Sequence, residues 1–195
     1  MSNDNFISKL PKTDLHVHLD GSLRESTLYE LADVFSIVIP DGVFKERYAS
    51  LADYLRGFDF TCAVMRDEQS IHRVSYELCV DAFSEGVYYQ EIRFAPQLLE
   101  QHGLSSLQIL KAASAGIKQA ELEFNGGCDI ELYRAAIIVC AMRFPEMLSS
   151  KSVDAVHSAL DARDNHGLPV VAFDLAGAEL GNPAGAHRQA HQIAY

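Results

Sequence analysis

Pro11-Lys12-Thr13-Asp14-Leu15-His16-Val17-His18-Leu19-Asp20-Gly21-Ser22 decides the fold, because polar and apolar residues alternate from Asp14 to Asp20. Side chains along an extended strand point to opposite faces in turn, so His16, His18 and Asp20 share one face while Leu15, Val17 and Leu19 share the other. The apolar trio gives the strand a core surface. The two imidazoles, at i and i+2, can reach one metal ion, and a borderline-soft divalent ion such as zinc suits neutral imidazole nitrogen. A bare His-x-His is equally compatible with a hydrogen-bonded pair in a packed strand. Gly21 then ends the strand in a turn, and Ser22 with Glu25 three residues on reads as a capping box opening a helix.

Outward from this stretch, the same reading continues in alternating elements. A helix is predicted from about Leu23 to Val34, and a loop from Phe35 to Ala49 is marked by Pro40, Asp41 and Gly42. A short helix starts near Ser50. Between Asp67 and Glu85, Ile71, Val74, Leu78 and Ala82 recur at helical spacing, with Gly86 placed to stop the helix. Val87 to Phe94 reads as a strand, Ser105 to Asn125 as a helix closed by Gly126 and Gly127, and Ile130 to Cys140 as a buried strand. Pro145 suits a helical first turn, Ser152 to His166 is helical with Gly167 as its stop, and Val170 to Leu175 is a further strand. Asn182 as N-cap and Pro183 as first helical residue open a last helix that runs to Tyr195. Strand and helix alternate four times, which predicts a parallel sheet with helices outside.

Composition narrows the function classes. The 195 residues, 48% hydrophobic and 22% charged, suit one soluble domain spanning 1–195. A formal net charge of -11, with no cluster among the 16 Lys and Arg residues, argues against a nucleic-acid partner. No apolar run is long enough to span a bilayer, and the polar stretch Met1 to Leu10 lacks the pattern of a secretory leader, so a cytoplasmic protein without membrane contact is expected. Cys62, Cys79, Cys128 and Cys140 are widely spaced without a C-x-x-C pair and read as reduced core thiols. The H-x-E and P-C-x-x-C signature of the cytidine-type zinc deaminases is absent.

The opening stretch resembles the first-strand motif of the adenosine deaminase family, zinc hydrolases built on an eight-stranded β/α barrel. Four later stretches resemble that family in the same order: Gly86 to Pro96, the turn at Gly103-Leu104-Ser105, Ile138 to Arg143, and Val171 to Gly177. The resemblance implies a (β/α)8 TIM-barrel fold with about the first four β/α units present, since such a barrel typically takes about 250 residues. It implies His16 and His18 as ligands of a Zn2+ ion, and His18, Asp20 and Gly177 as substrate-binding residues, Asp20 at the ribose and the Gly177 backbone at the purine. It places no catalytic residue within the chain: the proton-handling glutamate and the remaining metal ligands belong to later strands.

The implied reaction is hydrolytic deamination of adenosine and deoxyadenosine to inosine and ammonia. Alternatives are deamination of adenine or a modified adenine nucleotide, and a non-catalytic binding role. The expected partner is a small purine nucleoside, with association possible through open barrel edges. On its own the chain is expected to bind zinc weakly and to turn over little.

The remaining polar residues read as structural. Glu91 and Arg93 at i and i+2 suit an interior ion pair, Asp174 a buried hydrogen-bonded carboxylate, and Arg143 a supporting guanidinium. His187 and His191 have a zinc-compatible i, i+4 spacing, but Arg188 stands where the helical zincin motif needs glutamate, which leaves a solvated helix face.

Overall fold

A computed structural model describes residues 6–7, 9–44, 47–126, 132–143 and 149–195. Four strands, β1 (Lys12–His18), β2 (Val87–Phe94), β3 (Arg134–Met142) and β4 (Val170–Ala176), form one sheet in the order β1-β2-β3-β4. Every neighbouring pair is parallel. Parallel neighbours require a crossover, and helices supply it. Between β1 and β2 lie α1 (Glu25–Val34), α2 (Leu51–Val64) and α3 (Glu68–Ser84); α4 (Ser106–Asn125) precedes β3, α5 (Ser149–Asp164) precedes β4, and α6 (Arg188–Ala194) follows it.

The helices start and stop where local chemistry tells them to. Asp67 and Ser70 form a reciprocal capping box at the start of α3, and Ser105 with Gln108 does the same for α4. Ser50 accepts from the Asp53 amide at the start of α2, which is a full 14 residues long rather than short. Gly86, at φ +82°, turns the chain from α3 directly into β2.

Two predicted helix starts differ. Arg24, not Ser22, is the N-cap of α1 and gives it no side-chain bond. Its guanidinium is engaged with Asp81 of α3, Nε lying 2.9 Å from Oδ2, so the helix entrance is fixed by a tertiary ion pair instead of a local box. Near the end, Pro183 stays extended and a 3-10 turn, Ala184–His187, precedes α6; the Asn182 side-chain Nδ2 donates to the carbonyls of Ala178 and Leu180, and the side chain does not cap.

The helices cover one face of the sheet. Ile92, Phe94, Ala135, Ile137 and Val139 from the strands, and Leu19 just past β1, join Ile71, Val74, Leu78, Ile109, Leu110 and Ile117 in one buried cluster. Within that layer α3 and α4 approach so closely that a Cβ on Gly116 would lie 2.3 Å from the His72 carbonyl oxygen. Only glycine fits there. Cys62, Cys79 and Cys140 are buried free thiols, as expected. Strand β3 starts at Arg134, four residues later than predicted; Ile130 and the expectations for Gly127, Cys128 and Pro145 lie outside the described residues.

Candidate active site

The β1–β2 ladder is irregular where the site begins. Asp14 pairs with Gln90 and Val17 with Ile92, so β1 spends two residues, Leu15 and His16, against the single Glu91 of β2. Such a bulge breaks the strict alternation and re-aims a side chain. The His16 amide turns to the Asp14 carboxylate, 3.0 Å away. Leu15, expected in the core, is 57% exposed in consequence, whereas Leu19 is fully buried. Beyond the bulge, His18 is in register with Arg93, on the face away from the helices.

On that face the rings of His16 and His18 lie 5.5 Å apart, centroid to centroid. Two imidazoles bound to one tetrahedral zinc ion at about 2.1 Å would have centroids about 5.2 Å apart. The spacing of the pair is therefore compatible with one shared divalent ion. No group of three or more His, Cys, Asp or Glu side chains able to hold a metal ion occurs among the described residues. The Arg93 charge, then burial and His18, hold His16 below its ordinary value of 6.5, which favours the neutral form a metal needs.

Asp20 lies just past the strand. It is buried, its Oδ1 has no hydrogen-bond partner, and the nearest basic atom is His18 Nδ1 at 3.6 Å. A buried carboxylate oxygen without a donor is costly unless something supplies one. Beside Asp20 and Gly21 opens a cavity of about 90 Å³, walled by Phe44, Tyr48, Tyr54, Phe58 and Thr61. Tyr54 and Phe58 meet edge to face at 5.5 Å, and Phe58 meets His18 at 6.3 Å. These aromatics went unread in the sequence because Tyr54 and Phe58, four apart on a helix, look like any core stripe.

Gly177 follows β4 at the same carboxyl end of the sheet, three strands away from Asp20. Its φ is +100°, which favours glycine, and a Cβ there would sit 3.2 Å from the Arg143 amide nitrogen, a tight contact. The Arg143 amide donates to the Ala176 carbonyl at 2.8 Å, while its side chain pairs with Glu179.

The predicted ion pair on β2 does not form. Glu91 accepts from the Tyr89 hydroxyl at 2.9 Å, and Arg93 reaches across the face to Asp174. Asp174 is thus an ion-pair partner whose side chain is 39% exposed, not a buried carboxylate. His187 is not solvated either: it is buried, with Nδ1 2.6 Å from Ser152 Oγ, whereas His191 is exposed and rests edge-on against Phe173. The 3-10 turn places those two histidines in different surroundings despite their helical spacing.

Successive parallel β/α units, with imidazoles and carboxylates at the carboxyl ends of the strands, are the arrangement of half a TIM barrel, in which functional groups occupy that end. The chain belongs to the adenosine deaminase family, whose profile matches residues 11–195. A probable adenosine deaminase of Dictyostelium discoideum is 37% identical over 97% of the chain and 24% of its own length. The adenosine deaminase of Shewanella woodyi is 38% identical over 88% of the chain and 51% of its own length. Among solved structures, the Arabidopsis N6-mAMP deaminase aligns with a TM-score of 0.81 at 27% identity, covering 97% of this chain and 57% of that one. An amidohydrolase of Burkhoderia ambifaria with bound Zn shares the fold at a TM-score of 0.82, 20% identity and 52% of its length. The chain spans about half the length, or less, of the curated relatives named here.

Proposed function

We propose that this chain supplies the first half of the active site of a zinc-dependent hydrolase that converts adenosine and deoxyadenosine to inosine and ammonia. The observation that carries the reading is the imidazole pair: two rings at a separation suited to one tetrahedral ion, with Asp20 Oδ1, which accepts no hydrogen bond, 3.6 Å from His18 Nδ1. When bound, zinc lowers the pKa of water to about 7 and so makes a strong nucleophile available at neutral pH. The chain's own residues bind and orient. His16 and His18 hold the ion, Asp20 accepts a hydrogen bond from a ribose hydroxyl, and the Gly177 backbone approaches the purine edge. Tyr54 and Phe58, set edge to face, offer an aromatic wall on one side of the ligand. The remaining ligands and the proton-transferring carboxylate come from the other half of the barrel.

Adenosine is favoured as substrate because the relatives at 37–38% identity are named adenosine deaminases, while the N6-mAMP deaminase stands at 27%. A cytoplasmic location accords with the reduced thiols, and no helix is long and apolar enough to cross a membrane among the described residues. The part-built metal site also favours a second reading, a family member that binds its ligand without turning it over. Ammonia release decides between them. The zinc-loaded chain, alone and mixed with a separately expressed second half of a related barrel, is assayed with adenosine, deoxyadenosine, adenine and N6-methyl-AMP. Turnover of adenosine by the mixture, and little by the chain alone, is expected. Purine nucleoside binding without ammonia from the mixture would establish the second reading.

A further inference from the structure

Gly177 holds a conformation that its own chemistry does not fix. Lacking a Cβ, glycine takes positive and negative φ about equally readily, so the peptide planes beside it can turn unless something outside the turn holds them. At φ +100° the chain here lies directly on the residue that follows β3: the place a Cβ would occupy is 3.2 Å from the Arg143 amide nitrogen and 3.5 Å from its Cβ. Arg143 then grips both flanks of the glycine. Its main-chain N–H donates to the Ala176 carbonyl, one residue before, at 2.8 Å, and its Nη1 lies 2.9 Å from Glu179 Oε1, two residues after.

The segment beyond Gly177 is built to transmit that grip. Asn182 closes it on itself: the side-chain Nδ2 donates to the Ala178 carbonyl at 3.1 Å and to the Leu180 carbonyl at 3.3 Å, and the main-chain amide donates to the Glu179 carbonyl at 3.0 Å. Residues 178–182 are therefore tied into one piece, with Gly177 as its pivot and Glu179 as its link to the end of β3. The two ends of that link differ. The Arg143 side chain is 13% exposed, so its charge needs a partner, whereas Glu179 is 78% exposed and reaches in from water to supply one. We propose that Arg143 and Glu179 are positioning residues that set the orientation of the Gly177 peptide at the purine edge. They act on the substrate only through that backbone. This inference rests on the reading of Gly177 given under the proposed function.

Two readouts test it, and the first needs no substrate. In 15N relaxation of the 195-residue chain, Glu179→Gln should lower the order parameter of the Gly177 amide from the rigid range, about 0.85, toward about 0.6. The thermal midpoint should stay within about 2 °C of the parent, because loosening one loop leaves the core intact. The second readout is adenosine turnover by the chain mixed with the second half of a barrel. Glu179→Gln should raise KM about 3- to 5-fold, the upper end of what an exposed ion pair is worth, with kcat within about 2-fold, the split that lost ground-state binding leaves. Glu179→Asp, which keeps the carboxylate, should recover most of the loss. Arg143→Gln should raise KM likewise, and adding Glu179→Gln to it should change KM by less than about 2-fold. A Gly177 amide already mobile in the parent, a rigid one in Glu179→Gln, or a mobile one with unchanged KM would each overturn the inference. So would a loss in Arg143→Gln that Glu179→Gln does not share, since the guanidinium would then touch the ligand itself. Should Arg143→Gln not fold, the exposed Glu179 variants decide alone. Turnover by the parent mixture with any of these failures sinks the inference alone, whereas no turnover by that mixture sinks the deaminase reading and the inference together.

Discussion

The two faces of the one sheet teach opposite lessons about how the molecule is built. On the helical face, Ile92, Phe94, Ile137 and Val139 are at most 3% exposed and interlock with the helices, so burial of apolar area fixes every neighbour at once. On the opposite face, His16, His18, Arg93 and Asp174 are held by a few directed polar contacts. The first face is a collective solution that tolerates little change in volume. The second is a small set of pairwise choices.

Zinc binding gives the widest separation between the faces. His18→Ala should reduce zinc affinity by at least about 100-fold, beyond what loss of an outer partner typically costs, with little change in the urea midpoint of the metal-free chain. A comparable loss of stability would break the comparison by showing that the imidazole face also carries the fold. Conversely, Ile137→Ala is expected to cost about 2–5 kcal/mol of unfolding free energy, and its zinc affinity, measured below the unfolding transition, should stay near that of the parent.

Gly116→Ala sharpens the picture within the helical layer. The added methyl meets backbone, the His72 carbonyl at 2.3 Å, so α3 and α4 must separate, at about 1–3 kcal/mol. An unchanged thermal midpoint would mean that the helix pair yields more easily than its packing implies. Leu15→Ser, at the bulge, should lie within about 0.5 kcal/mol of the parent because the side chain faces water. That outcome separates a bulged β1 from the strictly alternating strand, in which Leu15 would have been a core residue.

Acid should reveal a further contrast. Burial first, then the Arg143 charge and His191, hold His187 below its ordinary value of 6.5, so the unfolded chain takes up the proton more readily than the folded one. The stability contributed by the neutral, Ser152-bonded ring is complete above pH 6.5 and is lost as pH falls from there through the lower folded value. Urea unfolding of the metal-free chain across that window should show the decline, and His187→Gln should flatten it.

The helical face was legible in the sequence because its signals are local and repeated. The stripe Ile71, Val74, Leu78 has helical period, Asp67 and Ser105 carry cap chemistry within reach of their own amides, and Gly86 stops a helix at a positive φ. The imidazole pair was legible as well, since His16 and His18 stay together despite the bulge. What was misread shares one cause, competition from residues distant in the chain. Arg24 turned to Asp81 and displaced the Ser22 cap; Arg93 chose Asp174 over Glu91; His187 chose Ser152 over water.

By itself, then, the order of residues determined a parallel alternation of strands and helices and the side of the first strand that carries the two imidazoles. Period and capping depend on neighbours a few positions away. Only the tertiary structure decided which acid neutralises which base, where β1 gains its extra residue and which aromatics wall the cavity beside Asp20. Those outcomes depend on distances between segments far apart in the chain, which no local pattern encodes.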